Sequence, residues 1–216
     1  MTNKPKNGVI LVGYSGHAFV VAEALMLSGY QIIGYLDKEM TSINLMNLEY
    51  LGFEENKNVL KKIKGNYVFP SIGDNCIREK IITYFENNGF EFITAIHANS
   101  NISNYASIGK GTLVARGANI NPFAAIGKGV IINTGAIVEH ECVIKNFVHI
   151  APGAVLAGNV SIGKNSFIGA NAVVKQGISI GENVVIGAGA VVVKNVENNI
   201  MLIGNPAKPK KVKNNG

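Results

Sequence analysis

The sequence predicts an α/β unit over residues 1–97, followed over residues 98–216 by a parallel β-helix of hexapeptide repeats. Three observations carry this. Counting in sixes from Ile102, all sixteen positions as far as Val192 are Ile, Val or Leu. The position four residues after each anchor is small or β-branched almost throughout, as at Ala106, Thr112, Ala118 and Ala124. A strict period of six is neither a helical stripe nor strand alternation. It marks short strands and turns coiling into a solenoid, in which each aliphatic side chain points inward onto its counterpart one coil away. The third observation lies upstream, where short apolar runs alternate with helical spacing. That alternation implies a parallel sheet with right-handed crossovers.

The first run, Gly8 to Val12, reads as a buried parallel strand that ends at Gly13. Ala18, Val21, Ala22, Leu25 and Met26 then fall at helical spacing, and Gly29 closes that helix. Ile32 to Leu36 is a second strand, followed by Asp37. A weakly determined stretch leads to a short helix near residues 59–63. Residues 67–72 read as a third strand, with Pro70 marking a sheet edge or a strand end. Asp74 caps a helix running through Tyr84 and Phe85 to Gly89. Residues 90–96 read as a fourth strand.

Composition narrows the function classes. Of 216 residues, 47% are hydrophobic, enough for a core, and 25 are glycine, which suits turn-rich β structure. No apolar run is long enough to span a bilayer, and the lysines near the start have no signal-peptide core behind them. Cys76 and Cys142 define no disulfide framework, so a cytoplasmic location is expected. Cys142 falls at an inward position of the repeat and reads as core. The net charge of +6 owes much to Lys208, Lys210, Lys211 and Lys213. They are either a solvated tail or a site for a phosphorylated ligand. No basic patch is interleaved with aromatics, so nucleic acid is not an expected partner.

The loop Gly13-Tyr14-Ser15-Gly16-His17 joins a strand to a helix. Such a turn presents backbone N–H groups and the positive end of the helix to an anion. Asp37 ends the next strand, where a dinucleotide fold accepts hydrogen bonds from ribose hydroxyls. The glycine spacing is not Gly-x-Gly-x-x-Gly and the unit is short. Half of a dinucleotide domain, holding one nucleotide, therefore fits better than a whole one. The competing reading is that these glycines only permit tight packing. Gly73 ends the third strand on the same edge, where its N–H can also face a ligand. His97, at the join of the two parts, reads as a packing residue.

If three hexads make one triangular coil, residues 18 apart stack. His140 then lies near Gly158, Asn133 lies below Ala151 and Gly169, and Pro152, Ala170 and Ala188 form a column. Glu139-His140-Glu141 sets an imidazole between two carboxylates in a charge-poor solenoid, and an acid beside a histidine orients it and raises its basicity. A surface histidine beside two solvated acids is the competing reading. His149, the other histidine in the repeats, is half a coil from His140 and so lies on another face. Packing identical prisms side by side in a ring brings two such faces together.

Taken together, Gly13-Tyr-Ser-Gly-His17, Leu36-Asp37, Ile72-Gly73-Asp-Asn75 and Val138-Glu-His-Glu-Cys-Val143 resemble the sugar-nucleotide acetyltransferases of the sialic-acid O-acetyltransferase and bacillosamine-pathway N-acetyltransferase type. The resemblance covers nearly the whole chain and implies that the β-helix is left-handed, after an N-terminal half-Rossmann domain. It implies acetyl-CoA as co-substrate, no metal, and a homotrimer with the active site between subunits. His140 would be the general base, polarised by Glu141, with the Gly158 N–H stabilising the oxyanion. Ser15, Gly16, His17, Asp37 and Gly73 would hold a nucleotide-sugar, with Asn133 near the sugar. Lys38 follows Asp37 where relatives often carry a second Asp, which bears on the nucleotide contacts. His149 would touch acetyl-CoA from the neighbouring subunit. Ala170, Gly187 and Ala188 would line the pantetheine arm, and the Gly204-Asn-Pro-Ala-Lys208 turn would lie near the CoA phosphates. The acceptor expected is a UDP- or GDP-linked amino sugar, with O-acetylation of sialic acid and a non-catalytic nucleotide-sugar-binding scaffold as alternatives. A zinc-dependent hydration enzyme would need three imidazoles, and the repeats supply two.

Overall fold

The computed structural model describes residues 8–210. Its N-terminal sheet contains β1 (Val9–Val12), β2 (Ile32–Leu36), β3 (Glu49–Gly52) and β4 (Tyr67–Pro70), all parallel and in the order β3-β2-β1-β4. Helix α1 (Gly16–Leu27) connects β1 to β2 and α2 (Lys57–Ile63) connects β3 to β4, and α3 (Asn75–Asn87) follows β4. The order reverses between β1 and β4. Open α/β sheets bind ligands at such a point, outside the carboxyl ends of the strands. Here it is flanked by the Gly13 loop and the Gly73 loop, tied together by the Ser71 hydroxyl donating to the carbonyls of Val12 and Gly13. As expected, β4 with Pro70 is an edge strand, and the Asp74 carboxylate caps α3 by accepting from the Ile77 N–H at 2.8 Å.

Two departures from the expected elements appear. The weakly determined stretch contains β3, a strand too short and too polar at Glu49 to stand out. The fourth strand does not join the sheet. Phe92 makes a lone bridge to Val68, and the chain then leaves to form β5 (Ala95–Ile96), which pairs with Leu113 and Val114 of the solenoid. Ile96 sits six residues before Ile102, so the inward hexad pattern prevails over the partial alternation there.

From β5 to β21 (Val191–Val192) the solenoid consists of seventeen two-residue strands in three parallel sheets. Every pairing along this run joins residues 18 apart, for example Ile131 with His149 and His149 with Phe167, so no coil carries an insertion. The outward positions define three faces. The first carries Ala95, Leu113, Ile131, His149, Phe167 and Val185. The second carries Asn101, Asn119, Ile137, Val155, Val173 and Val191. The third carries Ser107, Ala125, Val143, Ser161 and Ser179. The inward anchors form one continuous core, and full burial of each is worth roughly 1.5–3 kcal/mol. The register shortens beyond Val192, where β22 (Met201–Ile203) pairs with Val185 and Ile186 at an offset of 16 residues. The antiparallel β23 (Lys208–Pro209) then ends the described chain. Lys211 and Lys213 lie outside the described residues. No helix among those described is long and apolar enough to cross a membrane.

The α/β unit sits on the first face. Helix α1 and the sheet share one apolar cluster with Ala95, Leu113, Ala115 and Ile131. Phe147, in the corner between the third and first faces, joins a second cluster with Ile81, Ile82 and Phe85 of α3. Arg78 of α3, 1% exposed, rivets the two parts. Its guanidinium donates to the carbonyls of Ile72 and Gly73 on one side and to those of Gly129 and Phe147 on the other, and to the Asn75 side chain. Replacing Arg78 by Met leaves the carbonyls of Ile72, Gly129 and Phe147 without this donor. We expect a loss of about 3 kcal/mol in denaturant titrations, and a raised KM for any ligand that uses the Gly73 loop.

Candidate active site

Three groups of residues emerge, and the coil geometry separates them. The first is the corner between the second and third faces. His140 Nδ1 lies 3.1 Å from a carboxylate oxygen of Glu141. A carboxylate only accepts here, so Nδ1 carries the proton and Nε2 presents a lone pair. The imidazole is half exposed. It lies over Gly158, where an added Cβ would come within 2.5 Å of Cε1 and 2.6 Å of Nε2. The stacking count therefore holds, and the glycine is needed for the ring to sit there. Gly158 occupies a turn slot that Pro122 and Pro152 fill in other turns, so the slot requires no N–H for the coil ladder. Glu141 adopts φ 61°, the left-handed region, with its N–H on the Pro122 carbonyl. Cys142 is buried, with its thiol pushed up by burial, and belongs to the core as expected.

The second group lies between the first face and the α/β unit. His149 is buried, with Nδ1 at 3.2 Å from the Gly73 carbonyl and Nε2 at 3.1 Å from Asn133 Nδ2. The carbonyl fixes the proton on Nδ1, so Nε2 accepts from the Asn133 amide. The Asn133 Oδ1 in turn accepts from the Thr134 N–H. His17 lies 6.4 Å from His149 between ring centroids, and its Nε2 is buried with no hydrogen-bond partner among the described residues. Burial, and secondarily the Arg78 guanidinium, lower the pKa of His17 to about 4. The same two causes, in that order, lower His149 to about 4. Both rings are thus held neutral. His149 stands with the residues expected around the sugar, one coil from the Ala170 column. Around the Gly13 loop, the Tyr14 N–H donates to Asp37 at 2.9 Å, so Asp37 braces the loop. Its other oxygen accepts from the Lys38 N–H. Ser15 is the N-cap of α1 without a side-chain capping bond. Gly16 and Gly73 face open space, since a Cβ on either would meet nothing within 4 Å.

The third group continues up the corner between the first and second faces. Ala170 and Ala188 stack there, with the Gly189 N–H on the Ala170 carbonyl at 2.8 Å. Gly187 lies against Ile203, whose strand partner is Lys208. Lys208 is exposed at the rim of a cavity of about 410 Å³ at the C-terminal end of the solenoid core. His97 is a buried packing residue, its Nδ1 accepting from the Asn99 N–H.

Sequence reasoning missed Arg78. Its signal was its place on the apolar stripe of α3, three, four and seven residues before Ile81, Ile82 and Phe85.

Comparison with known proteins follows this geometry. Residues 8–85 match the family described as PglD N-terminal domain, and residues 159–194 match the hexapeptide repeat of succinyl-transferase. PerB from Caulobacter crescentus, solved with CoA and GDP-perosamine, is 35% identical, with a TM-score of 0.89 over 94% of this chain and 97% of that one. The chain belongs to the hexapeptide-repeat sugar-nucleotide acetyltransferases. Membership fixes the hand of the coil as left. The acetyltransferase domain of PglB from Neisseria gonorrhoeae is 34% identical, with a TM-score of 0.88 over 94% of this chain and all of that one. WeeI from Acinetobacter baumannii is 27% identical, with a TM-score of 0.78 over 94% and 99%. No curated protein sequence matches.

Two outcomes are expected for this acetyltransferase. Gly158→Ala should push the half-exposed His140 ring aside and lower kcat roughly 100-fold. Its melting temperature should change little, because the displaced ring has solvent to move into. Depressed histidine pKa values stabilise the fold above the unfolded value of 6.5 and lose that contribution as pH falls towards about 4. Melting temperatures at pH 7.5 and 5 should therefore differ more in the wild type than in His149→Gln, and equal differences would contradict the buried neutral ring.

Proposed function

We propose that this chain transfers the acetyl group of acetyl-CoA to the amino group of a nucleotide-linked 4-amino sugar, of the GDP-perosamine or UDP-4-amino-4,6-dideoxy type. The observation that carries the mechanism is the His140–Glu141 pair seated over Gly158. The sugar amine attacks the thioester carbonyl while His140 Nε2 takes its proton. Glu141 stabilises the imidazolium. The Gly158 N–H donates to the oxyanion of the tetrahedral intermediate. When the intermediate collapses, the C–S bond breaks and His140 returns the proton to the CoA sulfur. No acyl-enzyme forms.

The Gly13 loop, the start of α1, Asp37, Lys38 and Gly73 hold the nucleotide at the switch point of the sheet. His17, Asn133 and His149 surround the sugar, with His149 facing the incoming acetyl group. Ala170, Gly187 and Ala188 line the pantetheine arm, and Lys208 meets the CoA phosphates. These residues lie along the first face and the corner after it, whereas His140 lies one corner further round the prism. A single chain therefore cannot bring its own base to its own sugar. A homotrimeric ring of parallel prisms does so, each chain supplying His140 to its neighbour.

The test is release of free CoA thiol from acetyl-CoA against a panel of GDP- and UDP-linked amino sugars and free sialic acid. Release with an amino-sugar nucleotide is expected, and His140→Ala should lower kcat about 10²–10⁴-fold with little change in melting temperature. Near-full activity of that variant would overturn the assignment of the base. Release with sialic acid alone would overturn the acceptor.

A further inference from the structure

Where a described solenoid turn sets a residue at positive φ, that residue is glycine or asparagine in every case but three: Phe123 at 64°, Glu141 at 61° and Phe147 at 60°. A bulky side chain is disfavoured in this region. Two of the exceptions have a reason within the chain. Glu141 orients His140, and Phe147 is buried against α3. Phe123 has none. It is 64% exposed, and its one ring contact among the described residues is with Tyr105, which is 71% exposed, with ring centroids 5.4 Å apart. Both lie in the corner between the second and third faces, one and two coils below Glu141.

We propose that this aromatic pair is the surface by which one copy of the chain docks on helix α1 of the next copy. The inference rests on the ring described above and names the contact that sets its register. Helix α1 presents an apolar strip that the described residues cover only in part: its Phe19, Val20, Met26 and Leu27 line one groove with Glu23 and with Met46 from the loop between β2 and β3. Met26 and Leu27 are 56% and 55% exposed.

The levels match. Helix α1 descends beside the corner between the first and second faces. His17 stands next to His149, Glu23 next to Arg116 and His97, and Ser28 bonds the Ile96 carbonyl. The chain therefore steps down three coils from His17 to Ser28. On the other corner the order downward is Glu141, Phe123, Tyr105. Two coils span about 9–10 Å, and α1 from His17 to Glu23 covers about 9 Å. With prisms parallel, the level that sets His140 against a neighbour's His17 and Asn133 also sets Phe123 and Tyr105 against that neighbour's α1. The two surfaces differ, so the contact is heterologous, and in the three-fold ring proposed above it repeats at each of the three edges. Phe123 then does between chains what Phe147 does within one.

The test is the molar mass by light scattering, with kcat, of the full chain carrying Tyr105→Ser with Phe123→Asn, and separately Leu27→Glu. Asparagine suits the left-handed turn, so the first variant keeps its coil, as circular dichroism will show. Both variants should assemble at least about tenfold more weakly than the wild type and lose activity on dilution. Mixing them should recover activity, since the intact corner of one meets the intact α1 of the other. Either variant assembling like the wild type would overturn the docking surface while leaving the ring. A wild type of single-chain mass with full activity would overturn the ring itself.

Discussion

One inward aliphatic side chain per hexad is the constraint on which the rest of this structure depends. No repeat can bury its own anchor, so each coil is stable only on its neighbours. The stacking is strict over every coil from Ile96 to Val192. An insertion within this run would break the 18-residue count by which later positions stack. Because there is none, residues 18 apart meet, and chemistry can be written into the turns at no cost to the core. His140 over Gly158 is the direct product of that register, and so is the column of Asn133, Ala151 and Gly169.

The second determinant is how the α/β unit is fixed to the first face. Its apolar contacts are supplemented by one buried guanidinium that serves carbonyls on both sides. Burial pushes the Arg78 pKa down to about 10, still well above neutrality, so the charge persists. That charge helps keep His17 and His149 neutral, and the same guanidinium fixes the Gly73 carbonyl that sets the His149 tautomer. The Gly13 loop, the His17 and His149 rings and the solenoid are thereby one mechanical unit. His140 is left out of it, on an edge that faces away.

Much of this was legible in the sequence because two of its signals are local and periodic. The six-residue count located the anchors, the turns and the His140–Gly158 stack. The apolar runs and Asp74 located three of the sheet strands and the helices that follow the Gly13 and Gly73 loops. The fourth strand failed because residues 90–96 satisfy two patterns, and only the packing of Ile96 on the hexad core decides between them. The role of Arg78 was hidden because a charged residue on a helix reads as surface until the second domain covers it. Phe123 was overlooked for a related reason: the period marks where turns fall, but the sign of φ at each turn emerges only from the backbone.

The central claim is that catalysis needs edges from two chains. The most direct measurement mixes two inactive full-length variants, His140→Ala and Asn133→Ala, and follows acetyl transfer after subunit exchange. If each site draws its base from the neighbour, equal mixing should restore about a quarter of wild-type activity, through interfaces that join an intact His140 to an intact Asn133. Exchange confirmed by mass, with no recovery of activity, would contradict the shared site and place base and sugar within one chain.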